Sequence, residues 1–70
     1  MSLADSFILK VESQLVNGQW FAGRYDMQVL NDLRVWGAKP IDAHSNHACY
    51  QFNDGSKALW NHEFQDWFLV

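Results

Sequence analysis

The tripeptide Asn53-Asp54-Gly55 stands between two apolar-rich runs that read as strands, His47–Phe52 and Ser56–Trp60. Two such runs around an Asp-Gly step are a strong β-hairpin signal. Loop length then decides which side chains share a face, because a slip of one residue turns every side chain over. A two-residue Asp54-Gly55 loop pairs Phe52 with Lys57 and Tyr50 with Leu59, and sends Trp60 to the opposite face. A three-residue loop with Gly55 left-handed pairs Phe52 with Ser56, Tyr50 with Ala58 and Ala48 with Trp60. That register gathers Ala48, Tyr50, Phe52, Ala58 and Trp60 on one face and leaves Gln51 and Lys57 on the other, so it is the expected one. The run Lys39–His44 adds a third strand at the edge, where Pro40 is tolerated because no ladder bond needs its missing amide.

Upstream of the hairpin the apolar period changes. Leu3, Phe7, Ile8, Val11 and Leu15 recur at spacings of three and four, the signature of one helix face. This predicts a helix over residues 4–16, capped by Ser2 or Asp5 and stopped at Asn17-Gly18. The aromatic connector Gln19–Tyr25 is expected to turn and drop Trp20 or Phe21 into the core. A second helix is predicted over 26–36, with Asp26 as N-cap and Gly37 just past its end. Its stripe is Met27, Leu30 and Leu33, widened by Val29 and Trp36, and Pro40 forbids continuation. In the tail, Phe64, Trp67 and Phe68 are again three and four apart, which predicts a short helix over 62–67 capped by Asn61, with Glu63 in its first turn. The expected fold is therefore a single α+β domain spanning residues 1–70. Two N-terminal helices pack on an antiparallel hairpin or three-stranded sheet, and a short C-terminal helix follows.

Seventy residues lie near the lower limit for burying a self-sufficient core, yet 49% of the chain is hydrophobic and four residues are Trp. With one cysteine, no internal disulfide can staple the domain. Either the core is unusually good or a protein partner, which includes a second copy, covers part of it. The net charge is −3 and the five cations, Lys10, Arg24, Arg34, Lys39 and Lys57, stand singly. Nucleic-acid binders draw their affinity from clustered cations, so that class is disfavoured. The apolar runs are too short to span a membrane, and no basic leader precedes the first apolar residues. Together with the free cysteine, this predicts a cytoplasmic protein.

Two groups of residues are candidates for function. Asp42, His44, His47 and Cys49 are close in sequence, with His62 directly after the second hairpin strand, and zinc accepts all of these donors. Structural zinc usually closes a large loop with distant ligand pairs, whereas these are local. The expectation is accordingly no bound metal or cofactor, with the histidines as solvated groups beside a Ser45-Asn46 turn. Cys49 with His47 or His62 as base would be a nucleophile pair, but no third group orients it, and cysteine is commonly buried. Glu63 and Asp66 are better read as helix-dipole charges than as an acid–base pair. No enzyme activity is expected.

The surplus of rings is the second feature. Phe7, Tyr50, Phe52 and Trp60 are assigned to the core. Trp20, Trp36, Trp67 and Phe68 are candidate partner-binding residues, because Trp, Tyr and Arg dominate interface hot spots. Flanked by Asp32, Asp42, Glu63 and Asp66, such a patch suits a basic-rimmed protein surface. The leading expectation is a small, acidic, non-enzymatic protein-binding module, a regulator, inhibitor or accessory subunit. In size and charge it resembles phage-encoded inhibitors, anti-CRISPR proteins among them. The alternatives are a metal-stabilised domain using His44, His47 and Cys49, and a homodimeric structural protein.

Overall fold

A computed structural model of the chain describes residues 1–12 and 25–70. The predicted helix end over 13–16, the Asn17-Gly18 stop, and Trp20 and Phe21 lie outside the described residues. The fold is α+β. Helices α1 (Leu3–Glu12) and α2 (Met27–Val35) precede strands β1 (Lys39–Ala43), β2 (His47–Gln51), β3 (Lys57–Asn61) and β4 (Asp66–Leu69). The strands form one sheet in the order β1-β2-β3-β4, every neighbouring pair antiparallel.

Helix α1 buries Ala4, Phe7, Ile8 and Val11, the three-and-four spacing that its periodicity demands. Its first amides are all satisfied. Ser2 Oγ accepts from Asp5 N at 3.1 Å, while the Asp5 carboxylate accepts from the Ser2 backbone and hydroxyl, a capping box with Asp in the usual Glu place. The two amides between them are taken by the distant β2–β3 turn. Leu3 N donates to Asp54 Oδ2 at 2.8 Å and Ala4 N to Ser56 Oγ at 3.0 Å.

Helix α2 begins where Asp26 Oδ1 accepts from Val29 N at 3.0 Å. It ends in a Schellman motif, with Ala38 N donating to Leu33 O and Gly37 N to Arg34 O, Gly37 having φ +80°. Its buried residues are Val29 and Leu33, with Trp36 half-buried beyond them, a line at spacings of four and three. The expected stripe through Met27 and Leu30 is rotated: Met27 is 80% exposed and Leu30 36%. The helix turns its Val29–Leu33 line into the core, and Met27, on the first turn, is left outside it.

The hairpin adopts the three-residue register, pairing Ala48 with Trp60 and Tyr50 with Ala58. Phe52 N donates to Ser56 O at 2.8 Å and Gly55, at φ +87°, donates to Phe52 O. Strand β1 takes the edge beside β2, with a bulge between Pro40 and Asp42, which keeps that edge from templating further pairing.

The C-terminal segment departs from expectation. Instead of a three-stranded sheet closed by a helix over 62–67, a fourth strand pairs Trp67 with Trp60 and Phe68 with Leu59, so both helices precede the whole sheet. Asn61 does start one helical turn, its Oδ1 accepting from Glu63 N and Phe64 N and its carbonyl from Gln65 N. Gln65 then enters the left-handed region at φ 54°. That residue reverses the chain, and the turn becomes the loop of a β3–β4 hairpin.

The core lies between the helices and the sheet face that carries Ala48, Tyr50, Ala58, Trp60 and Trp67. Phe7 is at its centre, 5.5 Å from Trp36, 5.5 Å from Phe52 and 5.7 Å from Trp67 between ring centroids. Tyr25 stacks on Trp60 at 5.2 Å, and its hydroxyl meets that of Tyr50 at 2.6 Å. No buried side-chain polar atom among the described residues lacks a partner.

Candidate functional site

The β1–β2 hairpin brings together three of the five residues named as metal-ligand candidates. Asp42 is the penultimate residue of the bulged edge strand, His44 follows that strand, and His47 opens β2. The turn is closed by His44 N donating to His47 O at 2.8 Å. One ligand-type atom from each of Asp42, His44 and His47 lies within 4.8 Å of the others. His44 Nε2 is 2.8 Å from Asp42 Oδ1, and His47 Nε2 is 3.6 Å from Asp42 Oδ2. The imidazole rings are 4.7 Å apart between centroids. Asp42 and His44 are exposed and His47 half-buried.

Cys49 and His62 stand outside this group. Cys49 is cross-strand partner to Asp42 and shares the sheet face of His47, yet it is only 6% exposed. Burial pushes its thiol above the ordinary value, an effect that Lys57 opposes and Asp42 adds to. A raised value lowers the thiolate fraction, the reverse of what an activated nucleophile or a soft metal ligand needs. His62 turns its Nδ1 to the Trp60 indole, accepting from Nε1 at 3.0 Å, and packs edge-on to Tyr25.

The second candidate site is the sheet face turned away from the core. Strand alternation places Asp42, Cys49, Leu59 and Phe68 in one cross-strand row on it. Lys39, Gln51 and Lys57 lie toward one end, and His47, Asn61 and Asp66 toward the other. Among the described residues both helices contribute to the core on the opposite face. Phe68 is 44% exposed, Phe64 is 66% exposed, and their rings meet edge-to-face at 6.2 Å.

The four candidate partner-binding rings are thus separated. Phe68 is at this surface. Trp67, its neighbour in the strand, points the other way and is 3% exposed, so its ring is part of the folded core. Trp36 is half-buried against Phe7 and Phe52, with Lys10 Nζ 5.7 Å from its ring centroid. Trp20 lies outside the described residues. Phe64 is the surface ring that sequence reasoning assigned to a helix. Its exposure follows from the β3–β4 loop, which no local pattern announced.

Among the described residues, no helix is long and apolar enough to cross a membrane. Comparison with protein-family models, with curated proteins and with solved structures returns no match.

Proposed function

We propose that this chain is a small non-enzymatic protein-binding module that engages its partner through the outer sheet face centred on Leu59 and Phe68. The observation that carries this reading is the Phe64–Phe68 ring pair, held in open solvent beside a strand whose alternate residue, Trp67, is buried. Exposed aromatic rings on a rigid element lose little side-chain entropy on binding and make effective anchors. The buried Cys49, with its raised thiol, supports a role without covalent chemistry. A partner fitting the face presents an apolar centre, a cationic group opposite Asp66, and an anionic group opposite Lys39 and Lys57. The module then acts as a regulator, inhibitor or accessory subunit by covering that surface.

The test compares wild-type chain with Phe68→Asp and Phe64→Asp as bait in cells that encode it, followed by reconstitution from purified components. A partner that binds wild type and loses about 2 kcal/mol or more of affinity with either variant upholds the reading. Equal affinity for wild type and both variants, with circular dichroism unchanged, overturns it.

A second reading, self-association, is favoured by the charge layout of the same face. A two-fold axis lying along the Asp42–Phe68 row sets the lysine end of one copy against the Asp66 end of the other. Sedimentation across a dilution series decides it: a concentration-dependent dimer abolished by Phe68→Asp is the expected outcome, and a monomer at every concentration removes it.

A further inference from the structure

We infer that Asp42, His44 and His47 form a binding site for a divalent transition-metal ion of the zinc class. The first ground is convergence. Their candidate ligand atoms all fall within 4.8 Å of one another, while metal–ligand bonds of about 2.0–2.1 Å set tetrahedral ligand atoms about 3.3 Å apart. The contacts of Asp42, 2.8 Å to His44 through Oδ1 and 3.6 Å to His47 through Oδ2, lie on either side of that spacing.

The second ground is the orientation of His47. Its Nδ1 is 3.0 Å from Asn46 Oδ1. With that amide oxygen beside Nδ1, Nε2 is the ring nitrogen turned toward Asp42, 3.6 Å from a carboxylate oxygen. An oxygen acceptor on the distal ring nitrogen is also the usual second partner of a metal-bound histidine. The backbone supports the arrangement: the His44–His47 hydrogen bond and the bulge after Pro40 place all three side chains around one turn.

Two imidazoles and one carboxylate select borderline ions such as zinc, cobalt and nickel over magnesium or calcium, which prefer oxygen alone. With three protein ligands on an exposed hairpin, the remaining positions are open to water or to a ligand from another molecule. Cys49 and His62 take no part.

The experiment is equilibrium dialysis of the whole chain against zinc chloride, with an excess of magnesium present. Expected is one zinc per chain, retained in Cys49→Ser and His62→Ala. His44→Ala and His47→Ala should weaken binding by about tenfold or more, and Asn46→Ala by about tenfold, since loss of an orienting partner alone typically has that effect. No binding, a site that survives His44→Ala/His47→Ala, or loss only in His62→Ala overturns the assignment. A measurement on the unaltered chain covers the case of a misfolded variant: cobalt(II) should broaden the ring resonances of His44 and His47 and spare those of His62. Uniform broadening, or none, counts against the site.

Discussion

The amide of Leu3 donates to the carboxylate of Asp54 at 2.8 Å across 51 positions of sequence. The turn of the β2–β3 hairpin thereby completes the N-terminal capping of helix α1 begun by Ser2, and Ser56, which also bonds Asp54, caps the next amide. These bonds hold the Asp54 carboxyl below its usual range, the Leu3 amide contributing most and Ser56 next.

This gives stability a defined pH dependence. The folded-state pKa of Asp54 lies below the unfolded value of about 3.9, so its contribution is complete well above that value. It is lost as pH falls through the folded value, where both states bind the proton. Urea midpoints of wild type and Asp54→Asn should differ most near neutrality and converge in acid. A gap that stays constant down to pH 2.5 would show that the charge plays no part.

Truncating the central ring should be severe. Phe7 is fully buried and contacts Trp36, Phe52 and Trp67. Phe7→Ala is expected to cost about 3–5 kcal/mol, comparable with the whole stability of about 4–10 kcal/mol for a domain of this size. Chemical denaturation should find a largely unfolded variant, with Phe7→Leu folded and only moderately weaker. A cooperative Phe7→Ala transition at the wild-type midpoint would refute the packing described.

Ser2→Ala removes the acceptor for Asp5 N and one half of the capping box. The expected loss is about 1 kcal/mol, read as a lower urea midpoint at unchanged slope. No change would mean that Asp54 and Ser56 hold the helix start unaided.

Gly55 and Gly37 both adopt positive φ, yet substitution should affect them unequally. A Cβ on Gly55 meets nothing within 4 Å, whereas one on Gly37 lies 2.7 Å from Asn53 Nδ2. Gly55→Ala should therefore cost only the left-handed backbone term of about 1–2 kcal/mol, and Gly37→Ala more. An Asn53→Ala background should recover the excess at Gly37 and change nothing at Gly55. Equal costs in both backgrounds would exclude the contact.

Cys49 should be slow to react. It is 6% exposed and its thiol is pushed up by burial, so a disulfide reagent at pH 8 should label the native chain far more slowly than the urea-unfolded chain. Native labelling at the unfolded rate would contradict its place in the sheet.

Much of the architecture was legible in short-range pattern. The β2–β3 register followed from alternation around Gly55. The start of α2 at Asp26 and its stop at Gly37 followed from capping chemistry that joins residues three to five positions apart. The ligand candidates were legible only as an unsorted set: Asp42, His44 and His47 converge because the edge strand bulges after Pro40, while Cys49, on the same sheet face, is buried in the middle of β2. The surface role of Phe64 and the buried one of Trp67 were not legible at all, since their three-residue spacing fits a helix as well as a loop and strand.

Local chemistry thus settled the β2–β3 turn, the caps of α2 and the faces of β2 and β3, because each depends on partners a few residues away. The folded molecule decided the fate of residues 62–70, the capping of α1 by Asp54, and which histidines meet. Six residues of helix are marginal on their own, and propensity is worth tenths of a kcal/mol per residue. Burying the Trp67 ring against Phe7 and Trp60 contributes about 4 kcal/mol, taking roughly 25 cal/mol per Å² over about 150 Å². Where a weak local preference opposes a large distant burial, the distant partner prevails.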